Sequence, residues 1–261
     1  MEDYGLVSII TPTFNCGRFI RETILSVLSQ TYRHWEMIIV DDCSDDDTSE
    51  QVRQYLSDTR IKYLCNETNK GAALTRNRAL REAKGRWVAF LDSDDLWLPE
   101  KLERQLGFMV SNGYAFSYHE YEEIDEKSRP LGIQVSGLDH VGRWQMFSCC
   151  WPGCLTVMYD AGEVGLVQIS DIKKDNDSAM WLRIIRHTKC HLLRENLAMY
   201  RRREGSVTPT ALTSKIAWHF ILFHDGEGMG TVRSLFWMCA NVFGNAYKKV
   251  FFRPLFQMYE L

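Results

Sequence analysis

Apolar runs and amphipathic stretches alternate through the first hundred residues. Residues 7–10, 37–40, 61–64 and 87–91 are short runs dominated by aliphatic and aromatic side chains. Runs of this length suit strands, and those without polar alternation suit strands buried on both faces. Between the first two, Ile20, Ile24, Val27 and Leu28 share one face of a helix. Further on, Asp47 or Thr48 is placed to cap a helix carrying Val52, Tyr55 and Leu56. A third helix is predicted over residues 72–84, with Gly85 as the left-handed residue that closes it. Strand and helix in alternation, with short links, predict an α/β fold. Its Rossmann-like, mostly parallel central sheet should be flanked by helices on both faces.

Past Pro99 the pattern loosens. Residues 100–112 suit a helix ending at Gly113, and 114–121 an extended, aromatic-rich segment. Residues 125–175 are irregular. Residues 177–187 regain a helical stripe made of Met180, Ile184 and either Trp181 or Ile185. From about Ser206 a helical tail is expected, rich in Phe and Trp. The chain thus divides into 1–98, 99–205 and a tail of 206–261.

Composition excludes more than it assigns. The chain has 261 residues and a formal net charge of -3, so nothing global points to nucleic acid. Eight cysteines follow no disulfide-framework spacing, and no secretory signal precedes them, so a reducing, cytoplasmic protein is expected. Cys149, Cys150 and Cys154 lie close in sequence but lack a C-x2-C pair or a partnering histidine spacing, which favours core thiols over zinc. No stretch reaches the roughly 18–20 apolar residues that span a bilayer.

Chemistry gathers where the predicted strands end. Thr11 to Asn15 follow the first strand, Asp41 to Ser44 the second, Asn69 to Gly71 the third and Asp92 to Asp95 the fourth. Ligands of open α/β sheets bind beyond the carboxyl ends of the strands. Three carboxylates at the end of an apolar strand call for a cation. Alternation puts Asp92 and Asp94 on one side, which suits Mg2+ or Mn2+ held by carboxylate and phosphate oxygens. Plainer readings stand beside these: a solvated turn at 92–95, helix caps at Asp41, Asp42 and Asp177, and an exposed helix arginine at Arg76.

Together these clusters resemble the inverting family 2 glycosyltransferases of GT-A fold, over roughly residues 5–205. The resemblance rests on Val7 to Asn15, Ser26 to Tyr32, Ile39 to Thr48, Asn69 to Asn77, Leu91 to Asp95, Asn176 to Arg183, and Tyr200-Arg201 with Ser206. It implies a nucleotide-sugar-binding half (1–98) and an acceptor-binding, catalytic-base half (99–205). Pro12, Thr13 and Asn15 should line the nucleotide pocket. Asp41 should accept the uracil N–H of a UDP-sugar. Asn69, Arg76 and Ser93 should lie near the nucleotide or diphosphate, Asp92 near the ribose or sugar, and Asp95 near the donor sugar. Asp94 should ligate Mn2+ or Mg2+, and Asp177 should be the catalytic base. Asn176 departs from the family pattern, where an acid is frequent, so Asp175 competes for the base through a register shift.

The implied reaction moves a sugar from a nucleotide-diphospho-sugar to a glycan or lipid-linked acceptor in surface polysaccharide biosynthesis. A nucleotidyltransferase of related fold and a non-catalytic sugar-nucleotide-binding protein are the competing readings. The tail from Ser206 is net +2, and Arg201-Arg202-Arg203 lies just upstream. Basic residues beside aromatic ones suit a helix at the inner face of the cytoplasmic membrane. Packing on the catalytic domain, or across a homodimer, is the alternative.

Overall fold

The computed structural model describes residues 2–203 and 212–252. The first elements are β1 (Val7–Thr13), α1 (Gly17–Leu28), β2 (Trp35–Asp41), α2 (Thr48–Arg53), β3 (Ile61–Cys65), α3 (Ala72–Glu82) and β4 (Trp87–Phe90). Next come β5 (Leu96–Trp97), α4 (Lys101–Asn112), β6 (Phe116–Ile124), β7 (Pro130–Val135), β8 (His140–Val141) and α5 (Arg143–Ser148). They are followed by β9 (Met158–Asp160), α6 (Ala161–Val164), α7 (Asn176–Ile184) and β10 (Cys190–Arg201), and the tail forms α8 (Leu212–Ile221) and α9 (Thr231–Phe251). Ser206 and Arg253 lie outside the described residues.

One sheet runs in the order β3-β2-β1-β4-β9-β6-β10-β5, with β7 on β6 and β8 on β10. β1 to β4 pair in parallel, and β6 pairs in parallel with β10. β9 is antiparallel to both β4 and β6 and joins the two blocks. Six of the eight strands along that path therefore point the same way. Alternation sorts their side chains by face. Ile9, Met37, Ile39 and Ala89 pack towards α1, α2 and α4, while Ile10, Ile38, Val40 and Phe90 pack towards α3, α5 and α7.

Three features differ from the sequence pattern. The irregular stretch 125–175 hides β9, whose three residues are wholly buried but too few to show a period. Gly85 is not a left-handed cap: α3 ends at Glu82, and Gly85 is absent from the positive-φ glycines. A Cβ there would stand 2.6 Å from the Leu6 carbonyl oxygen, so β1 needs glycine for close approach. Gly113, by contrast, closes α4 in the left-handed region, at φ 67°. The basic triplet is not a free surface feature. Arg201, Arg202 and Arg203 pair with Glu22, Glu123 and Asp94.

The tail packs on the domain. Asn241 Nδ2 donates to the Phe147 carbonyl, and Lys248 Nζ donates to the carbonyls of Cys150 and Trp151. At Gly244 a Cβ would collide with the Ser148 carbonyl, so glycine lets α9 lie close against α5. Among the described residues, no helix is long and apolar enough to cross a membrane. All eight cysteines are free.

Candidate active site

The carboxyl ends of β1 to β4 form one rim, and side chains lace its loops together. Asn15, at φ 48°, accepts from the Asp45 N–H while its own N–H donates to Ser44 Oγ. Asp42 accepts from Asn66 Nδ2 and from the Lys70 and Gly71 N–H groups, fixing the loop that leads into α3. Asp41 is 1% exposed, and its oxygens accept from Ser44 and Tyr63. Neither aspartate caps α2, whose N-cap is Asp47 without a side-chain capping bond. Pro12 is half-buried and Asn69 exposed along this rim. Thr13 Oγ1 is buried without a partner, a polar atom left over at the end of β1.

Arg76 is the hub. Its side chain is 7% exposed, which removes the reading of a solvated helix arginine. Its guanidinium donates to Asp92 Oδ1, Asn176 Oδ1 and Asp177 Oδ1, each at 2.5 Å. Trp181, one turn along α7 from Asp177, fixes the far side of this clamp. It is fully buried, edge-on to Phe90 at 5.2 Å and beside Phe116 at 6.0 Å. β4 and α7 thus bring together Asp92 and Asp177, which are remote in sequence. Asp175 faces away: it adopts a left-handed conformation before α7 and pairs with His219 at 3.2 Å.

Electrostatics follow from this crowding. Burial raises the Asp177 carboxyl to about 6; Arg76 draws it down, and Asp92 and Asp175 push it up. One guanidinium shared by two carboxylates leaves the cluster net negative. Burial also raises Asp94, against the pull of Arg203 at 2.7 Å and with the push of Asp92. Burial, then Asp94 and Asp92, hold Asp95 well above the carboxylate range, and Asp95 Oδ1 accepts from the Arg201 N–H. The Ser93 carbonyl accepts from Thr23 and Cys16, tying the acidic turn to α1. Among the described residues, the donor atoms close enough to share a cation belong to Asp92, Cys154 and Asp177, while Asp94 stands on the same turn paired with Arg203.

Three contributors escaped the sequence pattern. Asn176 is a neutral partner of Arg76 beside Asp177. Arg203 meets Asp94, but its neighbours in an Arg triplet disguised it as a surface charge. Cys154, packed on the core as its sequence setting implies, also places its sulfur within 4.8 Å of both Asp92 and Asp177.

The strand order and its flanking helices are those of a GT-A type fold. TarS of S. aureus, solved in complex with UDP-GlcNAc, superposes with a TM-score of 0.72 at 20% identity, over 94% of this chain and 74% of that one. The mannosyltransferase PcManGT from Pyrobaculum calidifontis, in complex with GDP-Man and Mn2+, gives 0.67 at 15% identity, over 94% and 73%. Residues 8–156 match the glycosyl transferase family 2 model, and the chain belongs to that family. TuaG of Bacillus subtilis, a glycosyltransferase assigned to teichuronic acid biosynthesis, is 38% identical over 94% of this chain and 97% of its own. WfgD of Escherichia coli, a UDP-Glc:alpha-D-GlcNAc-diphosphoundecaprenol beta-1,3-glucosyltransferase, is 42% identical over 71% and 72%. The protein is a glycosyltransferase, not a nucleotidyltransferase.

Proposed function

We propose that the protein transfers a hexosyl group, with inversion, from a UDP-sugar to a hydroxyl of a lipid-diphosphate-linked glycan in surface polysaccharide assembly. The clamp of Arg76 on Asp92 and Asp177, beside Asp94, is the observation that carries this reading. TarS with UDP-GlcNAc and the UDP-Glc:alpha-D-GlcNAc-diphosphoundecaprenol reaction of WfgD support the donor and acceptor classes.

Inverting displacement needs the acceptor hydroxyl opposite the departing diphosphate, with a base to take its proton. Asp177 is that base. Its raised pKa suits a group that gains a proton near neutral pH. Arg76, itself bonded to Asn176, holds the Asp177 carboxylate towards Asp92, where the sugar ring would lie. Asp41 would read the base edge with lone pairs not used by Ser44 and Tyr63. Pro12, Thr13, Asn15 and Asn69 would line the nucleotide pocket, and Ser93 and Asp95 the turn beneath the sugar. Asp94 would hold Mn2+ or Mg2+, which when bound neutralises charge on the diphosphate leaving group.

The test is a panel of UDP-, GDP- and dTDP-sugars with Mn2+ or Mg2+, scored by released nucleoside diphosphate. Release from a UDP-sugar, lost in EDTA and in Asp94→Asn, is expected. Undiminished release in EDTA would remove the metal from the scheme.

A further inference from the structure

α9 leaves most of its large apolar side chains on its outward arc. Its inward arc mixes Ser234, Asn241, Gly244 and the hydrogen-bonded Lys248 with Trp237, which packs on Phe147 and Phe223. Its outward arc carries Val232, Phe236, Phe243, Tyr247, Val250 and Phe251, all exposed, with Val232 at 82% and Phe243 at 75%. At 100° per residue, Phe236, Phe243, Tyr247, Val232 and Val250 fall within one narrow sector. Trp144 of α5, 71% exposed, stacks obliquely on Trp237 at 5.1 Å and extends the patch sideways. An aqueous surface does not keep an unbroken apolar face of this kind without a partner.

We infer that this face docks on an anionic lipid surface. Charge and composition choose that occupant. Residues 231–251 carry no acidic side chain; Arg233 and Lys249 are exposed while Lys248 is bonded inward, and Arg143 is exposed beside Trp144. Basic residues flanking an aromatic and aliphatic face suit anionic headgroups above a hydrocarbon layer. A second copy fits less well: antiparallel α9 helices would bring Arg233 towards Lys249 with no carboxylate between them. The inference stands apart from the proposed reaction, because no residue of the patch belongs to the Arg76 clamp. It places the face on the same body as the acceptor-side segment, since Lys248 is bonded to the carbonyls of Cys150 and Trp151, just before Cys154.

The experiment is flotation of the full chain with vesicles of phosphatidylcholine alone, or mixed with phosphatidylglycerol, at low and high salt. The double variant Phe236→Glu, Phe243→Glu runs alongside, with thermal melts and donor turnover in detergent as controls. Binding to the anionic vesicles, weakened by salt and reduced about ten-fold in the variant with melting and turnover kept, is the expected result. Quenching of Trp144 fluorescence by brominated lipid should accompany it and vanish in Trp144→Phe. Wild-type protein that ignores every vesicle overturns the inference, as does a variant that binds undiminished. A concentration-dependent dimer that the double variant dissolves, without lipid binding, would assign the face to a second copy instead.

Discussion

α7 and α9 pack on the same hydrophobic cluster but turn different shares of their apolar side chains to it. α7 turns Met180, Trp181 and Ile184 inward, all fully buried, and leaves its one carboxylate pair at the start to meet Arg76 and His219. Its hydrophobic stripe does the anchoring, so its polar end is free to be chemical. α9 turns polar and small side chains inward around a single large apolar contact, Trp237 on Phe147 and Phe223, and is held by hydrogen bonds to carbonyl groups of α5 and the segment after it. Most of its other large apolar side chains face outward. Burial in α7 explains how a site is positioned; the lack of it in α9 marks a surface with unfinished contacts.

Removing the carboxylate that α7 presents should have the largest consequence. Asp177→Asn should lower kcat by about 10²–10⁴-fold in a transfer assay while the melting temperature stays near wild type. Cutting the anchor should act on stability instead. Trp181→Ala empties a fully buried site between Phe90 and Phe116 and should cost about 3–5 kcal/mol in denaturant titration. The pH profile sharpens the contrast further. With Asp177 raised to about 6, its active form is the carboxylate, so kcat/KM should rise with pH and level off above about 6. The stability sign is opposite: a carboxyl raised on folding favours the fold at acid pH, and that contribution fades as pH climbs through about 6. Arg76→Ala removes the charge that draws Asp177 down, so the rise in kcat/KM should move to higher pH, with turnover lowered throughout. The smallest effect belongs to α9. Phe236→Glu and Phe243→Glu sit in solvent, so in the absence of lipid each should change stability by no more than about 0.5 kcal/mol.

The same contrast explains what was legible in the chain. β1 to β4 announce themselves because buried parallel strands are continuous apolar runs, and their loops carry polar clusters at one rim. The helical stripe of α7 was equally plain. β9 was not, since three buried residues have no period, and its place between β4 and β6 is decided by distant partners. Arg203 and Cys154 were hidden for a related reason: an arginine in a triplet and a cysteine among cysteines gain meaning only from the carboxylates folded against them. Asp175 and Asp177, indistinguishable in sequence, are set apart by backbone conformation: the left-handed Asp175 pairs with His219 while Asp177 meets Arg76. The tail held two readings, packing and interfacial, and α9 packs through one arc while exposing the other.

The most direct test of the catalytic account is a comparison of Asp177→Asn with Asp175→Asn in one transfer assay. It would use UDP-glucose, Mn2+ and a lipid-diphosphate-linked GlcNAc acceptor, with released UDP and the anomeric configuration of the product as readouts. The account predicts a β-linked product from wild type, near-total loss in Asp177→Asn, and substantial activity in Asp175→Asn. Full activity in Asp177→Asn with loss in Asp175→Asn would contradict it and move the base off the Arg76 clamp.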